Sequence, residues 1–145
     1  MLEGALTWLI ADDEADILNL VAMMCRLWGH QPLTFNSGDR VWDWLDQVER
    51  GEHHEALPEL ALLDIRMPGK KGNELAHRIR RMPALRHIPI VLMTAFSLSD
   101  SDVFEMAQND GVDYIIYKPL PTPDELRQML DRVIENKQAN RGQMV

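Results

Sequence analysis

The sequence predicts an α/β domain in which a parallel sheet is covered by helices on both faces, and three observations carry that prediction. Five short apolar runs alternate with five helical stripes along 145 residues. The runs are apolar throughout rather than every second residue, as strands buried on both faces require. Four of them stop abruptly at a polar residue: Asp12, Asp64, Thr94 and Lys118.

The first run, Leu6 to Ala11, reads as a buried strand bounded by Asp12-Asp13. From Glu14 the period changes. Ile17, Leu20, Val21, Met24, Leu27 and Trp28 recur at three and four, and Gly29 stands where a helix C-cap is expected. Gln31 to Phe35 forms a short second strand, closed by the turn Asn36-Ser37-Gly38, and Val41, Trp44, Leu45 and Val48 make the next helical stripe. Trp42 and Trp44 are two apart on that helix, so both cannot face inward. Leu60 to Leu63 is the third strand, ending at Asp64; after a Pro-Gly-Lys-Lys-Gly loop a short helix with Leu75 and Ile79 inward stops near Pro83. Ile88 to Met93 is the fourth strand, with Pro89 disfavouring a central position for its first residues. Val103, Met106 and Ala107 mark helix four, and Tyr114 to Tyr117 is strand five. Thr122-Pro123-Asp124-Glu125 supplies an N-cap, a first-turn proline and a capping-box acid for helix five, with the stripe Leu126, Met129, Leu130, Val133 and Ile134. The polar residues from Asn136 onward are expected to fray.

This alternation implies one doubly wound (βα)5 domain with a five-stranded parallel sheet in the flavodoxin-like order 2-1-3-4-5. The domain is expected over residues 5–138, with 139–145 a polar C-terminal tail and no output domain in the chain. Composition narrows the function. A charge of −8, from 15 basic and 23 acidic residues, disfavours binding to a nucleic-acid backbone. No run approaches the roughly 18 apolar residues of a membrane span, and the N-terminus lacks the basic start of a signal peptide. Cys25 is the only cysteine, on the apolar side of helix one, so no disulfide framework or thiolate metal site is expected. A cytoplasmic location is the resulting expectation. His53 and His54 lie in a polar loop, and His30, His77 and His87 show no metal-ligand spacing. The nine methionines, Met23-Met24 among them, read as core filling.

In such sheets the functional crevice lies beyond the carboxyl ends of the strands. There the sequence places Asp12, Asp13 and Asp64 beside Thr94 and Lys118. Carboxylates about 4 Å apart repel by about 1–4 kcal/mol per pair, depending on the local dielectric. An oxygen-seeking dication relieves that repulsion, and Mg²⁺ (or Mn²⁺) suits a small carboxylate set that leaves water positions open. An ammonium and a hydroxyl can hold the remaining oxygens of a transferred phosphoryl group, the positioning that phosphoryl transfer chiefly requires.

Ala11-Asp12-Asp13-Glu14, Leu62-Leu63-Asp64-Ile65-Arg66-Met67-Pro68-Gly69, Met93-Thr94-Ala95 and Tyr117-Lys118-Pro119-Leu120 together resemble the response-regulator receiver family of bacterial two-component signalling. Each motif alone is weak; their joint occurrence at successive strand ends is specific. The resemblance implies Asp64 as phosphoacceptor, with Asp13 and Asp64 as direct Mg²⁺ ligands and Asp12 close by. It further implies the Arg66 backbone carbonyl as another ligand, Thr94 on a phosphoryl oxygen, Lys118 paired to its charge, and a cis Lys118–Pro119 bond. A sensor histidine kinase or histidine phosphotransfer protein would be the donor, and the surface of helix four, strand five and helix five would switch, a candidate homodimer contact. Two departures stand out. Ile115 replaces the aromatic residue usual three positions before the lysine, and strand alternation points Tyr114 away from it. Arg66 and Phe96, each two residues beyond a site residue, flank the phosphoryl position. A haloacid-dehalogenase-type phosphatase would need a second aspartate where Arg66 stands, and a flavodoxin would not place Asp12-Asp13 against a flavin phosphate. Within the fold, the rival is a degenerate receiver acting as an interaction module without phosphorylation.

Overall fold

The strands are β1 (Thr7–Ala11), β2 (Gln31–Phe35), β3 (Leu60–Asp64), β4 (Ile90–Thr94) and β5 (Tyr114–Tyr117). Alternating with them are the helices α1 (Ala15–Leu27), α2 (Gly38–Arg50), α3 (Gly72–Ile79), α4 (Asp100–Asn109) and α5 (Pro123–Gln143). This computed structural model describes residues 5–143. All strand pairs are parallel, in the expected order β2-β1-β3-β4-β5. The three central strands are buried at every residue, as their continuous apolar runs demand. The edge strands β2 and β5 are only partly buried, and the edge position accommodates Pro32, which has no amide to give a ladder.

Strand alternation divides the interior into two cores. Leu9, Ala11, Ala61, Leu63, Ile90 and Leu92 face Val41, Trp44 and Leu45 of α2 and Leu75 and Ile79 of α3. Trp8, Ile10, Leu60, Leu62, Val91 and Met93 face Val21, Met24 and Cys25 of α1 and Leu126, Leu130 and Ile134 of α5. Each fully buried side chain of this size contributes about 1.5–3 kcal/mol of transfer free energy. Burial also pushes the Cys25 thiol up to about 12, so it is an unreactive core thiol as its sequence position suggests. Trp44 is buried whereas Trp42 is half-buried under the Lys70 and Arg78 cations, in keeping with their spacing.

Several local expectations are corrected. On α1 the buried arc is Val21, Ala22, Met24 and Cys25; Leu20, Met23 and Leu27 are 40%, 50% and 75% exposed. The helix is apolar over a wider arc than the sheet covers. β4 begins at Ile90 rather than Ile88, because Pro89 has no amide and the chain is still in a turn there. On α4 no residue is fully buried: Val103 and Met106 are half-buried and Ala107 is exposed. Helix α5 runs on through Gln143 instead of fraying from Asn136. Lys137 ties it to Asp113 at the start of β5, with Nζ 3.0 Å from the carboxylate. Of the expected tail 139–145, residues 144 and 145 lie outside the described residues, as do residues 1–4 of the N-terminal stretch.

Candidate functional site

The parallel register aligns the ends of the central strands. Ala11 pairs with Leu63, Asp64 with Met93, and Thr94 with Tyr117, so the next residues along the chain emerge at one edge. The ladder continues slightly past the strands through the Asp12 amide to the Phe35 carbonyl at 3.2 Å and the Lys118 amide to the Thr94 carbonyl at 2.7 Å. Gly72 keeps the edge open to α3, since a β-carbon there would overlap the Asp64 carbonyl oxygen. The Lys118–Pro119 peptide is cis, as the resemblance implied.

Three of the side chains converge on one ammonium. Lys118 Nζ lies 2.8 Å from Asp12 Oδ2, 3.0 Å from Glu14 Oε1 and 3.5 Å from Asp64 Oδ2. Asp12 and Asp64 are buried polar residues, and the lysine side chain is itself largely enclosed. Asp12 performs two tasks. Its Oδ1 accepts a hydrogen bond from the Glu14 amide at 2.9 Å, an Asx-turn that leads into the helix. Its Oδ2 is buried and has no partner of hydrogen-bonding geometry, although the Lys118 ammonium lies within ion-pair distance. Burial chiefly, and then the Asp12 charge, raise the Asp64 pKa to about 7, against the lowering effect of Lys118. For Lys118 burial alone would lower the pKa, but the close contacts with Asp12 and Glu14 and the charges of Asp12 and Asp64 outweigh it and raise the value. Two carboxylates thus share a poorly hydrated space with one compensating cation, and their negative charge is not fully balanced there.

Thr94 is buried at the end of β4, where its Oγ1 accepts a hydrogen bond from the Phe96 amide at 3.1 Å. That leaves the hydroxyl proton free to donate. The Arg66 guanidinium stacks on the Phe96 ring with its carbon 3.9 Å from the ring centroid, joining the two residues that flank the site. The structure therefore brings together Asp12, Asp64 and Lys118. It does not bring in Asp13, whose side chain is exposed and outside the group of potential metal ligands. That group, among the described residues, is Asp12, Glu14 and Asp64, with one ligand atom of each within 4.8 Å of the others. Glu14 was not among the residues selected from sequence. Its only signal there was a third acid directly after Asp12-Asp13, ambiguous with a favourable first-turn charge on a helix. The Asp12 oxygen reached only by an ion pair and the excess of carboxylate over ammonium fit an oxygen-coordinated divalent cation.

Comparison with known proteins agrees with this geometry. The model of the response regulator receiver domain matches residues 8–131. The chain is 33% identical over 142 residues, 93% of its length, to the cyclic di-GMP phosphodiesterase response regulator RpfG of Xanthomonas campestris, of which it covers 37%. It is 33% identical over 128 residues, 88% of its length, to the phosphate regulon transcriptional regulatory protein PhoB of Pseudomonas aeruginosa, covering 51% of that protein. The chain thus spans roughly a third to a half of these relatives, whereas it covers 85% of the polar-differentiation response regulator DivK of Brucella ovis, at 29% identity over 79% of its own length. In fold it superposes on a CheY-like receiver domain protein from Methanospirillum hungatei with a TM-score of 0.75 at 20% identity, covering 94% of this chain and 99% of that one. Among the described residues no helix is long and apolar enough to cross a membrane. With the family model spanning both cores and every strand end that carries a site residue, the chain belongs to the response regulator receiver family, a signalling domain of two-component systems.

Proposed function

We propose that Asp64 accepts a phosphoryl group from a sensor histidine kinase or a histidine phosphotransfer protein, and that the phosphoryl charge then switches the α4–β5–α5 surface. The observation carrying this reading is the meeting of the Lys118 ammonium with Asp12 and Asp64 at the sheet edge, within 3.5 Å of both. An Asp64 oxygen attacks the phosphorus of the donor phosphohistidine. The new O–P bond forms as the N–P bond breaks, and the bonding pair leaves with the imidazole nitrogen. Lys118 pairs with one oxygen of the transferred group, and the Thr94 hydroxyl donates to another. Asp12, Asp13 and Asp64 with the Arg66 backbone carbonyl are the proposed Mg²⁺ ligands; Asp13 reaches the site only by a change of rotamer or loop. The ion, when bound, offsets the charge that the carboxylates and phosphoryl oxygens would otherwise bring together.

Switching follows from differential contacts. Thr94 gains an acceptor only when the phosphoryl group is present, so motion is expected to start in residues 94–100. The helix that follows is cheap to move, because α4 has no fully buried residue. Ile115 packs with Leu98 and Met106 against the α2–α3 core, while its neighbour Ile116 lies in the opposite core. Tyr114 consequently cannot take the place of an aromatic at 115. Phe104, Tyr114 and Tyr117 are exposed around this region, which supports its role as a contact surface, including a homodimer contact.

Acetyl phosphate with Mg²⁺ tests the acceptor. Intact mass is expected to rise by one phosphoryl group in the wild type and to stay unchanged in Asp64→Asn, since an amide is a poor nucleophile. A retained increment in that variant would remove Asp64 from the role.

A further inference from the structure

We infer that Glu14 is a positioning residue: it is the resting counter-ion of Lys118, holding the ammonium back from the Asp64 oxygen that a divalent cation needs. This rests on the proposed acceptor role of Asp64 and deepens it. Lys118 Nζ is held unequally, 2.8 Å from Asp12 and 3.0 Å from Glu14 but 3.5 Å from Asp64. Without Glu14, Asp12 and Asp64 are the carboxylates left to the ammonium, and it would close on Asp64 as it already does on Asp12. Those oxygens are the ones a cation must also take, so lysine and dication compete for the same charge. Glu14 relieves the competition from outside. Its side chain is 58% exposed, so it can follow the lysine without being desolvated. It sits at the N-cap of α1 with its amide held by Asp12 Oδ1, so its starting point is fixed relative to the site. When phosphorylated Asp64 presents new anionic oxygens, Lys118 exchanges Glu14 for them, and the carboxylate is left to water at little cost.

Mg²⁺ affinity read from the thermal unfolding midpoint, in the absence of any phosphodonor, tests this in four proteins: the wild type, Glu14→Gln, Lys118→Met and the double variant. A ligand that binds only the folded state raises stability with its concentration, so the midpoints yield an apparent dissociation constant. Gln keeps the backbone contacts at position 14 and removes only the charge. Glu14→Gln is expected to weaken Mg²⁺ about two- to fivefold, the range of a partly exposed ion pair. In the Lys118→Met background the same change is expected to leave Mg²⁺ affinity unaltered, because no ammonium remains to be held away. Equal weakening in both backgrounds would make Glu14 a direct ligand and overturn the assignment; no weakening in either, or tighter binding, would overturn it too. The acetyl phosphate increment on the wild type, read separately, distinguishes failure of this inference from failure of the acceptor role itself.

Discussion

The two ends of the sheet handle buried charge in opposite ways. At the amino end, beside the starts of β4 and β5, the Arg80 guanidinium makes four hydrogen bonds. It donates to the carbonyls of Gly111 at 3.0 Å, Arg86 at 3.0 Å and Ile88 at 2.6 Å, and to Asp113 at 2.7 Å. Asp113 in turn accepts from the Ile90 amide at 2.8 Å and pairs with Lys137. At the carboxyl end, Asp12, Glu14 and Asp64 share the single ammonium of Lys118, and one buried Asp12 oxygen has no hydrogen bond. The first end is closed and holds α3, β4, β5 and α5 together. The second is left short of positive charge, which costs stability and suits the proposed cation and phosphoryl group. Saturation goes with structure here, and deficit with the proposed function.

Removing the closed knot should have the largest effect. Arg80→Ala is expected to destabilise the fold by about 3 kcal/mol, because it strips three backbone carbonyls of a donor and removes the nearest cation from the largely enclosed Asp113 carboxylate. Urea unfolding measures this; a loss below about 1 kcal/mol would mean that the knot is no stronger than a surface ion pair, and the contrast would break.

The opposite sign is expected at the other end. In metal-free buffer at pH 8, Asp64→Asn should stabilise the protein by about 2 kcal/mol, since it removes one of the crowded charges. Burial and the Asp12 charge raise the Asp64 pKa to about 7. A carboxyl with a raised folded pKa contributes stability that is present below its ordinary value and lost as pH rises through the folded one. The wild type should therefore weaken relative to Asp64→Asn from about pH 4 up to its folded pKa. Added Mg²⁺ should narrow the gap by stabilising the wild type more. Parallel pH profiles of the two proteins would refute the idea that the site stores charge repulsion.

The smallest effect belongs to His30, again at the amino end. Its Nδ1 accepts a hydrogen bond from the Leu6 amide at 3.1 Å, and its ring stacks on Trp8 with centroids 4.8 Å apart. Burial lowers its pKa against the raising influence of Asp131. The neutral ring is thus the folded form. Its stability is present above the ordinary histidine value of about 6.5 and lost as pH falls through the lowered one. Wild-type protein should lose stability over that interval, and His30→Gln should lose less. Denaturation midpoints across the window read the difference, and identical slopes would show that the amino end has no titrating weak point.

Much of this contrast was legible in the residues. Asp12, Asp64, Thr94 and Lys118 could be chosen because each is the polar residue that ends or directly follows a predicted strand. In a parallel sheet all such positions fall on one edge. Arg80 and Asp113 were not visible as partners: they are 33 positions apart and belong to no motif. Nor was the exposure of Leu20 and Leu27. A helical stripe shows that one face is apolar, but the width of the arc that the sheet covers depends on how the helix is docked.

The parallel sheet, the helices on both its faces and the edge that carries the site follow from patterning, because a strand buried on both faces must be apolar throughout and a parallel strand must return through a helix; the same alternation also fits other doubly wound orders, and the pairing of strands decides among them. Glu14 is different. Nothing local distinguishes it from any acid at a helix start, and its partner Lys118 lies 104 positions away in sequence. Only the closing of β5 against β4 brings that ammonium across the sheet edge, where charge balance among Asp12, Glu14 and Asp64 is settled by distance and burial rather than by residue type.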